Sequence, residues 1–138
     1  MLLIEDTREK RGFHLTQSWI KQMPALDVRF LKLDFADYTN EMYSKFVERK
    51  SKGDCYSSIS RIKNFNRFKA ELMRSQNTIV VVECPLSKIY AYMTARKFKL
   101  PKNIFAARLT ELQNICPFVF CKNREEAAIY TLEYLNDI

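Results

Sequence analysis

Histidine is almost missing from this sequence, and the single His14 cannot form a metal site by itself; it reads as a surface or satisfied side chain. The four cysteines (Cys55, Cys84, Cys116, Cys121) fit no zinc spacing: four residues separate the closest pair, and neither a second pair nor a histidine lies nearby. They read as reduced, mostly buried thiols. Long apolar runs are also lacking. Stretches such as IVVV (79–82) are too short to span a bilayer, and the opening MLLIEDTREK lacks the apolar stretch of a signal peptide, so no membrane association and a cytoplasmic location are expected. No repeat, low-complexity tract or Gly/Ser linker divides the 138 residues, which are expected to form one domain, 1–138. With 47% apolar and 28% charged residues, the composition is that of a folded chain with an ordinary core.

Acids are absent between Cys84 and Thr110. Residues 55–110 hold eleven Lys and Arg (Arg61, Lys63, Arg67, Lys69, Arg74, Lys88, Arg96, Lys97, Lys99, Lys102, Arg108) against Glu71 and Glu83, a local charge of +9 in a chain whose net charge is +7. Such a segment is expected to meet a polyanion, unless its cations only solvate helix faces.

The pattern predicts a buried strand at 2–6 (LLIED) and a helix over 14–23, then a half-buried strand at 27–35, where apolar and polar residues alternate. The chain then turns through ADYTNEMYS and returns as a strand, KFVERK (45–50). Ile59, Ile62, Phe65, Phe68 and Leu72 recur at steps of three and four, predicting one amphipathic helix over 56–73. TIVVVEC (78–84) reads as a strand covered on both faces. Helices at 86–97 and 103–114, a strand at 117–121 and a helix at 124–136 complete an α/β order that implies three layers around a mixed sheet.

In that scheme acids gather at strand ends: Asp6 and Glu9 after the first, Asp37 after the second, Glu48 on the third. Glu48 and Lys50 are two apart on one strand, so they share a face. Asp37 and Glu48, eleven apart across a hairpin-like return, are placed to face one another. Two converging carboxylates suit Mg²⁺ or Mn²⁺, leaving water and a phosphate as the other ligands. A lysine on the same face can orient the water and offset charge on phosphorus. That is a minimal phosphodiesterase, although a solvated strand end would hold the same residues.

The longer runs IEDTRE (4–9), ADY (36–38) and VERKSKGD (47–54) resemble the catalytic domain of the XPF-type (XPF/MUS/Hef) structure-specific endonucleases, a branch of the restriction-endonuclease-like PD-(D/E)xK nucleases. The pattern of that family is Gly-Asp, a variable gap, then Glu-Arg-Lys-x-x-x-Asp, with an earlier Asp-x-Arg-Glu. Its strand ending in Leu-Val-Glu is similar to TIVVVEC. The resemblance covers about residues 2–135 and implies a restriction-endonuclease-like fold. It implies Asp37 and Glu48 as metal ligands, Asp6 helping directly or through water, and Lys50 positioning the nucleophilic water. Arg49 would point to the other side of the strand and pair with Glu9 or Asp54, with Asp54 organising the site from behind the ligands. Glu83 has as good a claim to be a capped strand end. Ala36 stands where the family has glycine.

The resemblance implies Mg²⁺- or Mn²⁺-dependent cleavage of branched, flapped or forked DNA in repair, recombination or replication. Related members usually carry paired helix-hairpin-helix modules, which need glycine-containing hairpins; Gly12 and Gly53 are the only glycines here, so such modules are not expected. DNA would be gripped by Arg61, Lys63, Arg67, Lys88, Arg96, Lys97, Lys99 and Lys102, among which Tyr90, Tyr92, Phe98 and Phe105 either stack on bases or belong to the core. Nothing marks a base-reading helix, so shape should outrank sequence. The last helix makes a homodimer plausible, although the core has an equal claim on its apolar residues. A compact member suits a prokaryote or its virus and a nucleoid location. The competing readings are a catalytically silent or partner-dependent DNA-binding subunit and a sequence-specific restriction-type nuclease.

Overall fold

The computed structural model of the chain describes residues 2–8, 27–96 and 100–137. The expected helix at 14–23, Glu9, Lys97, Phe98 and Lys99 lie outside them. Within the described residues, β1 (Leu2–Asp6), β2 (Asp27–Leu31), β3 (Tyr38–Asn40), β4 (Phe46–Lys50), β5 (Thr78–Val82) and β6 (Phe118–Phe120) form one sheet, ordered β2-β1-β3-β4-β5-β6. Only β3 runs against its neighbours, so the sheet is mixed. Five helices accompany it: α1 (Lys52–Ser60), α2 (Ile62–Arg74), α3 (Leu86–Ala95), α4 (Lys102–Gln113) and α5 (Arg124–Leu135).

Strand β5 is buried at every position because both its faces are covered. Val80 and Val82 pack with Ile59 of α1, Phe68 of α2, Ile89 of α3 and Phe105 of α4. Ile79 and Val81 face the other way, with Leu3, Val47, Ala127 and Leu132. Each such side chain contributes about 1.5–3 kcal/mol when fully buried. The result is three layers, α1–α4 on one face and α5 on the other. The core takes Ala127, Ala128, Leu132 and Leu135 of α5, while Tyr130 and Tyr134 of the same helix are half-buried beside it.

The predicted helix over 56–73 is two helices, and the first begins earlier. Ser51 caps α1, its Oγ accepting the Asp54 N–H at 3.2 Å. Arg61 then takes an extended conformation (φ −90°, ψ 122°) that separates α1 from α2. The break leaves Ile62 exposed while Phe65, Phe68 and Leu72 stay buried. Arg108 of α4 stabilises the break: its Nη1 donates to the carbonyls of Ile59 (3.1 Å) and Ser60 (2.7 Å), groups the end of α1 leaves unpaired. This cation of the basic segment therefore has a structural partner.

The expected turn at 36–44 contains β3. Its residues are buried with their polar groups satisfied: Thr39 Oγ1 donates to the Lys45 carbonyl (2.8 Å), Asn40 Nδ2 to Ser44 Oγ (2.8 Å) and the Leu135 carbonyl (3.2 Å), and Asn40 Oδ1 accepts the Ser44 N–H (2.9 Å). The strand predicted at 27–35 is shorter and less buried than its alternation implied, ending at Leu31 with Phe30 and Leu31 exposed at the sheet edge.

All four cysteines are buried free thiols. Burial pushes Cys55 up to about 12 from its ordinary 9.0, against the pull of Lys50. Burial likewise raises Cys116 and Cys121 to about 11, with Glu48 and Glu126 respectively adding to it. Unfolded thiols ionise near 9, so the folded state should lose stability as pH rises from about 9 towards 11. Urea unfolding at stepped alkaline pH should show that decline, and it should flatten in Cys116→Ala/Cys121→Ala. An equally steep decline in the double variant would assign it to other groups.

Candidate active site

Strands β1, β4 and β5 run in the same direction, so Asp6, Lys50 and Val82 reach one end of the sheet. Open α/β sheets hold their sites at such carboxyl ends. Asp37 arrives there at the entry to β3 and is tied to both neighbouring strands. Its carbonyl accepts the Asp6 N–H (2.8 Å) and its N–H donates to the Val47 carbonyl (2.9 Å). Its Oδ2 accepts the Arg49 N–H at 2.8 Å. Tyr38 pairs with Val47, the residue before Glu48, and the Asp37 N–H bonds to that same Val47.

The turn that delivers Asp37 is strained. Ala36 has φ 65°, the left-handed region that favours glycine, and it stands where the resembling family has glycine. Ala36→Gly should therefore raise stability by about 1 kcal/mol, read as a higher urea midpoint. An unchanged or lower midpoint would mean that the surroundings relieve the strain.

Burial alternates along β4, with Val47 and Arg49 buried and Glu48 and Lys50 half-buried on the face covered by α1 and α2. Lys50 Nζ lies 3.9 Å from Glu48 Oε1, donates to Ser58 Oγ at 3.1 Å and sits 4.3 Å from the centre of the Phe68 ring. An ammonium over a ring face is attracted to it, so three groups hold the lysine in place. Ser58 was not among the residues the sequence singled out. It becomes a partner of Lys50 only because α1 folds back along β4.

On the other face, Arg49 Nε donates to Glu83 Oε1, both side chains being almost fully buried. Register explains the pairing: Val81 lies beside Arg49, and Glu83 is two residues further along the same side. Arg49 thus reaches Glu83, which the pattern left open as a strand cap, where the resemblance suggested Glu9 or Asp54. The buried Asp6 carboxylate accepts from Arg8 Nε (3.0 Å) and the Leu33 N–H (3.2 Å), lacing the end of β1 to the chain after β2. Asp54 stands exposed in the first turn of α1 and lines one cavity with Lys50.

The cations Arg61, Lys63, Arg67, Lys88, Arg96 and Lys102 are exposed on the helical layer that covers the Glu48 and Lys50 face. The interleaved aromatics divide. Phe105 is fully buried, and Tyr90 packs edge-on against it at 5.6 Å. Tyr92 lies half-buried between Lys52 (5.0 Å from its ring centre) and Arg96 (5.1 Å).

No group of three or more His, Cys, Asp and Glu is placed to hold a metal among the described residues. The donors that the resemblance implies there are oxygens of Asp37 and Glu48, with the buried Asp6 carboxylate at the same end of the sheet. Their chemistry fits a hard cation that keeps several waters, as Mg²⁺ and Mn²⁺ do.

The profile of the ERCC4 domain matches residues 5–134, nearly the whole chain. The chain belongs to the ERCC4 domain family. Solved structures similar to it include XPF from Aeropyrum pernix in complex with DNA (TM-score 0.70, 17% identity) and XPF from Aeropyrum pernix (TM-score 0.69, 19% identity). Each match covers 98% of this chain and 63% of that one, so the chain spans less than two thirds of their length. Among curated proteins, none matches. The fold of this ERCC4 domain is that of the XPF nuclease domain, a mixed six-stranded sheet with helices on both faces.

Proposed function

We propose that this ERCC4 domain is a metal-dependent endonuclease that hydrolyses phosphodiester bonds in branched, flapped or forked DNA. The observation that carries the reading is the end of β4, where Glu48 and Lys50 share one face beside Asp37. Mg²⁺ or Mn²⁺ held by Asp37 and Glu48 would polarise the phosphate and acidify a bound water.

The chain's own residues do the rest. The Arg49 N–H holds one oxygen of Asp37, which fixes the direction of that carboxylate. Asp6 acts one step back: its oxygens are engaged by Arg8 and Leu33, and its N–H holds the Asp37 carbonyl. Lys50, steadied by Ser58 and Phe68, places a positive charge where water attacks and where charge grows on phosphorus. The exposed cations of α2, α3 and α4 contact backbone phosphates, which gives affinity without base selection. No helix among the described residues is long and apolar enough to cross a membrane, and DNA is the partner this surface fits.

The test is cleavage of end-labelled flap, fork, four-way-junction and linear DNA with Mg²⁺, with Mn²⁺ and with chelator. Cutting near the branch that needs metal is expected. Binding should weaken steeply between low and physiological salt. Tight, salt-sensitive binding without cutting would instead mark a DNA-holding subunit that needs a partner. Equal cutting of linear DNA at one sequence would mark a restriction-type enzyme.

A further inference from the structure

Behind Lys50 lies a cavity of about 410 Å³, formed where α1 and α2 meet. Lys50 lines one side, so the cavity adjoins the acids at the end of β4. Its wall is a hydrogen-bonded chain. Asn64 Nδ2 donates to the carbonyl (3.3 Å) and Oγ (3.2 Å) of Ser57, and Asn64 Oδ1 accepts from Arg67 Nη2 at 2.9 Å. Asn64 thereby holds an exposed guanidinium at the rim, and Glu71 adds an acceptor beside it.

We infer that this cavity receives one unpaired nucleotide next to the scissile phosphate. The inference rests on the nuclease reading and adds the feature of the substrate that the site selects. The volume is within the range of pockets that take one small ligand, about 300–1,000 Å³, and near the low end. The lining sets the cations of Lys50 and Arg67 beside the acceptors of Asp54, Glu71 and the Ser57 hydroxyl, held in place by Asn64, and such a mixture can meet the edge of a base. A paired base has that edge occupied and must be unstacked, at a cost of a few kcal/mol, before it can enter. Arg67 is placed to hold the phosphate of the same nucleotide by a charged hydrogen bond. The pocket thus favours a strand that has left the duplex, whatever its sequence.

The test compares two fork DNAs that differ only in whether the unpaired nucleotide beside the cut carries its base or is abasic. Wild type should cut the abasic fork with kcat/KM about tenfold lower. Asn64→Ala should lower cutting of the intact fork more than that of the abasic fork, so that the two rates converge. The same comparison is made for binding, using Glu48→Gln protein with and without Asn64→Ala. Equal handling of both DNAs by wild type, or an equal loss on both in Asn64→Ala, overturns the pocket while leaving the nuclease reading intact. If no DNA is cut, tighter binding of the intact fork that disappears in Asn64→Ala still establishes the pocket. Equal affinities in that case overturn it.

Discussion

Glu48→Ala should abolish metal-dependent cleavage, by at least about 10³-fold, and leave DNA binding in place. Glu48 is one of the two carboxylates proposed to hold the metal, and Asp37 alone would hold Mg²⁺ or Mn²⁺ poorly. Its side chain is half-buried beside Lys50, so truncation removes charge without opening the core. Removing an anion from a surface that meets phosphates should hold or tighten affinity. Initial rates on a labelled fork, with fluorescence anisotropy for binding, read both effects. Asp37→Asn is the matched control, since an amide oxygen can still accept the Arg49 N–H and keep the local geometry. A rate for Glu48→Ala within tenfold of wild type would move the metal site away from β4.

Arg49→Met should destabilise the domain by about 3–5 kcal/mol, because it leaves the buried Glu83 carboxylate without its cation. The double variant Arg49→Met/Glu83→Leu should regain most of that loss, since an apolar pair of similar size can replace a buried ion pair. Urea unfolding of the four proteins gives the coupling directly. Additive losses would show that the two side chains do not depend on each other. The Arg49 side chain lies on the opposite face from Glu48 and Lys50, so weak activity in Arg49→Met would first reflect a loosened β4. Cleavage measured well below the unfolding midpoint separates the two effects.

The site was legible where chemistry and short spacing coincide. Glu48 and Lys50 share a face because strand side chains alternate, and two residues are enough to see it. The run TIVVV was legible as a strand covered on both faces because a polar side would have interrupted it. Periodicity failed at Arg61, where steps of three and four continued through a break whose free carbonyls are taken by Arg108, 48 residues from Ser60. It failed again at β3, three residues too short to show an alternation and ending at Asn40, whose side chain holds the following turn through Ser44.

The α/β class, the mixed sheet and the placing of Glu48 and Lys50 on one face of a strand follow from patterns within a few residues of chain, where backbone geometry leaves few choices. Which acid Arg49 meets, what steadies Lys50 and what holds the gap between α1 and α2 open depend on groups brought together by packing. Glu83 is 34 residues from Arg49. Such pairs form when burial removes water and an unpaired charge becomes costly, and only the folded chain determines which partner is within reach.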